Sequence, residues 1–104
     1  MFEKLTNDIK EVAKLATDST RNVDDTEGSC NMDYVFLYVD GNRIQIEAAI
    51  KRAGFVPNTS GKDRSFVIIP PGHSQGKKRS AWAQTFSREM EKRLYSSGVV
   101  YIME

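Results

Sequence analysis

The sequence predicts an α+β fold, and three observations carry that expectation. From Asp33 onward the apolar runs follow the order strand, helix, two short strands, longer helix, strand. The opening residues space their apolar side chains by alternating steps of three and four, the stripe of an amphipathic helix. Between these two regions lies a stretch of turn formers with few hydrophobic residues. The expected organisation is an N-terminal helix over residues 1–17, a polar loop or tether over 18–32, and an α+β core over 33–104.

In the first helix Phe2, Leu5, Ile9, Val12 and Ala16 share one stripe. Asp18 to Met32 contributes only Val23, Cys30 and Met32 as hydrophobic residues, which fits a connector that leaves the helix free to seek a surface. Tyr34 to Val39 (YVFLYV) alternates aromatic Tyr34, Phe36 and Tyr38 with aliphatic Val35, Leu37 and Val39, so both faces of this strand expect cover. Asp40 and Asn42 are capping residues for a helix with a stripe of Ile46, Ala49, Ile50 and Ala53, ended by Gly54. Phe55–Val56 reads as a short strand before Pro57. With turn chemistry at Asn58–Asp63, it is expected to form a hairpin with Ser65 to Ile69 (SFVII). Ser80 to Tyr95 reads as a helix using Trp82, Phe86, Met90 and Leu94, and Val99 to Met103 closes the sheet.

A βαββαβ order of this kind usually builds a ferredoxin-like sandwich, an antiparallel sheet with two helices on one face and the other face open. With the aliphatic sides of the strands turned to the helices, the open face is expected to present Tyr34, Phe36 and Tyr38, joined by Phe66 and Tyr101. Such a patch has to be covered, oligomerised or used. Coverage by the N-terminal helix is the expected arrangement. Self-association as a homodimer and base stacking on single-stranded nucleic acid are the alternatives.

Composition limits the chemistry. The chain has 104 residues, 39% hydrophobic and 28% charged, the profile of one globular domain with one modest core. No segment reads as a membrane span or signal peptide, so the expected setting is cytoplasmic. Cys30 is the single cysteine and His73 the single histidine, which excludes an internal disulfide and a Cys/His metal cluster within one chain. No cofactor is expected. His73 beside Ser74, with Asp40 or Asp63 brought near by folding, is the only arrangement offering general acid-base chemistry, and neighbours in sequence rarely form a working pair. Asp24 and Asp25 lie in the connector, where rigid positioning is least expected. Catalysis is therefore not expected. Charge is uneven: residues 1–33 hold four Lys/Arg and eight Asp/Glu, whereas 34–104 hold eleven and six.

The expected function is non-catalytic binding, as a regulator, adaptor or inhibitor of a larger protein. Contacts would come from the aromatic face, the N-terminal helix or the basic final helix with Arg79, Arg88, Lys92 and Arg93. In the nucleic-acid alternative, Lys62, Arg64, Lys77, Lys78 and Arg79 would meet phosphates while Phe36, Tyr38 or Phe66 stack on bases. A partial resemblance bears on this, confined to two strands. Val35-Phe36-Leu37 is similar to the start of the first-strand signature of the RNA recognition motif, and Ser65-Phe66-Val67 to the middle of its third-strand signature, with Lys62 at the basic position. The resemblance implies stacking by Phe36 and Phe66. Asp63 stands where the family has glycine, and Arg64 and Ile69 where aromatics are typical, so membership is not assigned. A third alternative is capture of a nucleotide or other phosphorylated small molecule by the loop Pro70 to Arg79 (PPGHSQGKKR), through Gly72, Gly76, Lys77, Lys78 and Arg79. That loop is not a Walker A motif: its glycines are one residue too close, and no Ser or Thr follows Lys77.

Overall fold

The computed structural model describes residues 2–23, 33–59, 65–70 and 76–100. In chain order they form α1 (Glu3–Ser19), β1 (Tyr34–Tyr38), α2 (Arg43–Arg52), β2 (Asn58–Thr59), β3 (Ser65–Ile68), α3 (Gly76–Lys92) and β4 (Ser96–Val100). The class is α+β, with three helices and an antiparallel sheet in the order β2-β3-β1-β4. The element order departs from the bare βαββαβ plan. It opens with a helix, and β2 is a two-residue pairing, so β3, β1 and β4 are the full strands.

The expected strand at Phe55–Val56 is displaced to Asn58–Thr59, and the end of α2 explains why. Gly54 sits at φ +98, where its N–H bonds to the Lys51 carbonyl while the Phe55 N–H bonds to the Ile50 carbonyl. These are the paired bonds of a Schellman stop, a conformation glycine adopts without penalty. Phe55 is thereby committed to the helix end and packs beside Trp82 and Phe86, with ring centroids 6.1 and 6.3 Å away. Pairing begins only after Pro57, where Asn58 faces Val67 and Thr59 faces Phe66.

Register fixes the faces of the sheet. Val35 pairs with Ile68 and Leu37 with Phe66, and all four are buried. Directly opposed residues share a face, so this is the side turned to the helices. Phe66 is 1% exposed, which corrects the expectation that it joins the open aromatic face. The strand SFVII is apolar at nearly every position, and only its pairing with β1 decides which residues turn inward. Phe36 and Phe66 therefore point to opposite faces, and the paired stacking implied by the resemblance has no shared platform. β4 starts at Ser96, three residues before the expected Val99, because Ser96, Ser97 and Gly98 pair with Tyr38, Leu37 and Phe36.

The first helix forms as expected, with Leu5, Ile9, Val12 and Ala16 buried, but it does not cover the aromatic face. It packs on α2 and α3, behind the sheet's buried side. The Thr6 hydroxyl donates to the Ala49 carbonyl of α2 at 3.0 Å, and the Trp82 indole of α3 donates to the Thr17 hydroxyl at 3.1 Å. Small side chains at Ala49 and Ala83, both fully buried, suit this close helix approach.

A polar cluster closes the other end of the same contact. The Asp8 carboxylate accepts from Lys4 at 2.8 Å, from the Arg93 guanidinium at 3.0 Å and from the Tyr95 hydroxyl at 2.6 Å. Arg93 also donates to Glu11 at 2.7 Å. Burial would push the Asp8 carboxyl up, but the bonds from Lys4, Tyr95 and Arg93 together hold it below its ordinary value. Burial, then the bond to Asp8, raises the Tyr95 phenol. Arg93, expected to contact a partner, is instead engaged within the fold.

A carboxyl with a lowered folded-state pKa contributes stability above its unfolded pKa and loses it as pH falls through the folded value. Asp8→Asn is expected to cost about 1–3 kcal/mol at pH 7. The gap between variant and wild type should narrow as pH falls below about 4, the unfolded carboxyl range. Denaturant titrations at several pH values would read this directly, and a gap unchanged by pH would assign the loss to packing alone.

Candidate functional site

Two surfaces bring together side chains that the fold does not consume. The first is the sheet face opposite the helices. Tyr34, Phe36 and Tyr38 alternate with the buried Val35 and Leu37, and register adds Val67 and Gly98 opposite Phe36 and Val100 opposite Tyr34. Tyr34, Phe36, Tyr38, Val67, Gly98 and Val100 all lie outside the hydrophobic core cluster. Phe36 and Tyr38 meet edge to face with centroids 5.3 Å apart, and Tyr38 is 46% exposed.

Gly98 gives this face its shape. A Cβ there would run into the Phe36 ring, so the ring lies across β4 only because that position has no side chain. The Ser97 hydroxyl donates to the Phe36 carbonyl at 2.9 Å and secures the β1–β4 edge beside it. At the end of this edge Tyr38, Val39, Asp40, Leu94, Tyr95 and Ser96 line a groove of about 470 Å³.

Leu94 in that groove departs from the sequence reading, which placed it on the buried stripe of the last helix. Trp82, Phe86 and Met90 are buried as expected, but α3 ends at Lys92 and Leu94 is 95% exposed. Its φ of 72 places it in the left-handed region, at the turn position of a second Schellman stop. There Leu94 N–H bonds to the Glu91 carbonyl and Tyr95 N–H to the Met90 carbonyl. A leucine in that conformation is strained by about 1–2 kcal/mol.

The second surface is a cleft of about 230 Å³ between the end of α1 and the start of α3. Thr17, Thr20 and Arg21 form one wall, Lys78, Arg79 and Trp82 the other, with Pro70 at its edge. The Arg79 Nε donates to the Asp33 carbonyl at 2.7 Å, which orients the guanidinium. Trp82 stacks on Phe86 at 5.0 Å and is a rigid wall of the cleft.

The expected site residues thus separate. Tyr34, Phe36 and Tyr38 share the open face, while Phe66 lies beneath it on the buried side. Lys78 and Arg79 reach the cleft, and Lys77 and Arg88 are exposed on α3. Gly76 begins α3. Lys62, Arg64, Gly72 and His73, with Ser74, Asp63, Tyr101 and Cys30, lie outside the described residues. Thr17, Arg21, Leu94 and Gly98 escaped sequence reasoning. Gly98 carried a signal, a glycine abutting a β-branched run, whereas Thr17 and Arg21 are distant in sequence from Lys78 and carried none.

Among the described residues no helix is long and apolar enough to cross a membrane. No family model, curated protein or solved structure matches this chain.

Gly98→Ala is expected to destabilise the fold by about 1–3 kcal/mol by displacing the Phe36 ring. Phe36→Leu in the same chain should recover most of that loss. A double-mutant cycle on denaturation midpoints measures the coupling, and additive effects would mean that the ring does not depend on Gly98.

Proposed function

We propose that this chain is a non-catalytic binding module that docks a larger protein on its open sheet face, acting as a regulator, adaptor or inhibitor. The observation that carries the reading is the position of α1. The helix expected to cover the aromatic face packs on α2 and α3 instead, leaving Tyr34, Phe36 and Tyr38 outside the core cluster. Aromatic side chains with one apolar face and a polar tip are the residues that anchor protein interfaces. The strained, exposed Leu94 beside Tyr38 extends the apolar surface to the sheet edge. We read the scaffold as a ferredoxin-like variant with an added helix, supported by the antiparallel order β2-β3-β1-β4.

A protein partner is favoured over single-stranded nucleic acid because of what surrounds the aromatics. Their described neighbours across the sheet are Ser65, Val67, Ser96, Gly98 and Val100, none of them cationic. Stacking platforms for nucleic acid pair aromatic rings with a basic track along the backbone. Arg88 remains a candidate rim contact on α3, whereas Arg93 is held by Asp8 and Glu11.

The test is affinity capture at physiological salt with wild type, Tyr38→Lys and Leu94→Gly, alongside light scattering and thermal denaturation of each. Tyr38→Lys is expected to fold normally and lose the partner. Leu94→Gly should gain stability by up to about 1 kcal/mol through relief of backbone strain, yet bind the partner more weakly. Opposite signs in the two measurements would mark Leu94 as a contact held under strain. Retention of the partner by Tyr38→Lys would move the interface elsewhere. A wild-type dimer abolished by Tyr38→Lys, with no other protein captured, would identify the face as a self-association surface and overturn the proposal.

A further inference from the structure

We infer that a second copy of this chain pairs with the outer edge of β4, joining two sheets into one across a two-fold axis. β4 ends the strand order β2-β3-β1-β4, and among the described residues it pairs with β1 alone. Alternate residues of an antiparallel edge strand turn their N–H and C=O groups away from the sheet. Such a row is met in full by another extended backbone.

The two edges of this sheet are built differently. Edges are ordinarily blunted by short strands, proline, bulges or charged side chains, lysine above all. Among the described residues β2 has two positions, and Pro57 stands directly before it. β4 has five, Ser96-Ser97-Gly98-Val99-Val100, with no proline and no charge. Its register with β1 is continuous over all five, so no bulge turns the edge aside. One open edge and one blunt edge make pairing stop at two copies, because a dimer joined through β4 leaves only its β2 edges outermost.

The faces of the sheet fix the register of the pair. Neighbours along a strand alternate faces and directly opposed residues share one, so the helices of both copies lie on the same side when positions of equal parity meet. Pairing all five residues then centres the axis on Gly98, with Ser96 opposite Val100 of the partner subunit and Ser97 opposite Val99 of the partner subunit. No like charges meet in this arrangement.

Gly98 and Phe36 add a contact specific to a second copy. The Phe36 ring leans across Gly98 and so sits above β4 itself. Paired strands lie about 4.8 Å apart. Two such rings on neighbouring β4 strands therefore reach each other across the axis and cover the paired glycines. Tyr34, Phe36 and Tyr38 of both copies become one continuous aromatic surface, of which each chain alone holds half. That consequence for partner docking rests on the reading proposed above, whereas the pairing itself does not.

The experiment is sedimentation velocity of the intact chain from about 10 μM to about 1 mM. A five-residue strand pair is a short contact beside the roughly 1,200 Å² of a stable interface, so a monomer–dimer equilibrium with Kd of about 10–100 μM is expected. Ser96→Lys and Val100→Glu should each weaken the dimer by about tenfold, and the two together should restore it to within about threefold of wild type. Positions 96 and 100 lie about 13 Å apart along one strand, too far to pair within a chain, so recovery reports contact between copies. Ser96 is exposed, and thermal midpoints of each variant separate lost pairing from lost folding. Tyr38→Lys, one strand inward, should leave the dimer intact while losing the docking partner. A chain that stays monomeric at about 1 mM overturns the inference and leaves the docking reading standing; a dimer that captures no partner fails the docking reading alone. Failure of the double variant to recover, growth beyond dimers, or a dimer lost in Tyr38→Lys but indifferent to positions 96 and 100 would each overturn the pairing through β4.

Discussion

The docking of α1 onto the helical layer is the constraint from which the accessible surfaces follow. An amphipathic stripe of Leu5, Ile9, Val12 and Ala16 had two places to go, the outer aromatic face of the sheet or the backs of α2 and α3. The helical layer offers alanines that admit a second helix closely, as the Thr6 bond to the Ala49 carbonyl at 3.0 Å requires. The aromatic face presents the Phe36 and Tyr38 rings, which meet edge to face. The Asp8 cluster then fixes the choice, because a largely buried carboxylate with three donors has favourable placement only where Arg93 and Tyr95 meet α1. Both candidate surfaces are consequences: the sheet face stays open because α1 is elsewhere, and the cleft exists because the end of α1 reaches the start of α3.

What the sequence revealed, and what it concealed, follows the same physics. β1 was legible because its two faces differ in chemistry, aromatic against aliphatic, so alternation alone separated Tyr34, Phe36 and Tyr38 from Val35 and Leu37. β3 was not, because Phe66, Val67, Ile68 and Ile69 are all apolar and a strand of that kind has no readable parity. Phe66 was assigned outward and lies inward, and only the pairing of Leu37 with Phe66 settles it. The stop after α2 was legible from Gly54. The matching stop after α3 was hidden, because the chain places Leu94 where glycine would be expected, and the 3.6-residue period ran on through it.

The cleft was half legible. Lys78 and Arg79 stood out as part of a basic, glycine-bearing loop before a helix. Thr17 and Arg21 carried no local signal, since a threonine and an arginine at a helix end are ordinary. Their role arises only from tertiary packing, which the Trp82 bond to Thr17 records.

Leu94 breaks a local rule at the border of a candidate surface. Leu94 adopts a backbone conformation that favours glycine while exposing nearly all of its side chain, and it lines the groove with Tyr38. The first turn of α3 gathers cations where the dipole favours acids, and two of them line the cleft. At α2 the levels agree: Asn42 caps the helix through its bond from the Gln45 N–H, Gly54 stops it, and basic Lys51 and Arg52 occupy its last turn. Glycine at position 94 would end α3 through the same pair of bonds without the backbone strain, so the demands of the helix stop alone do not account for leucine there.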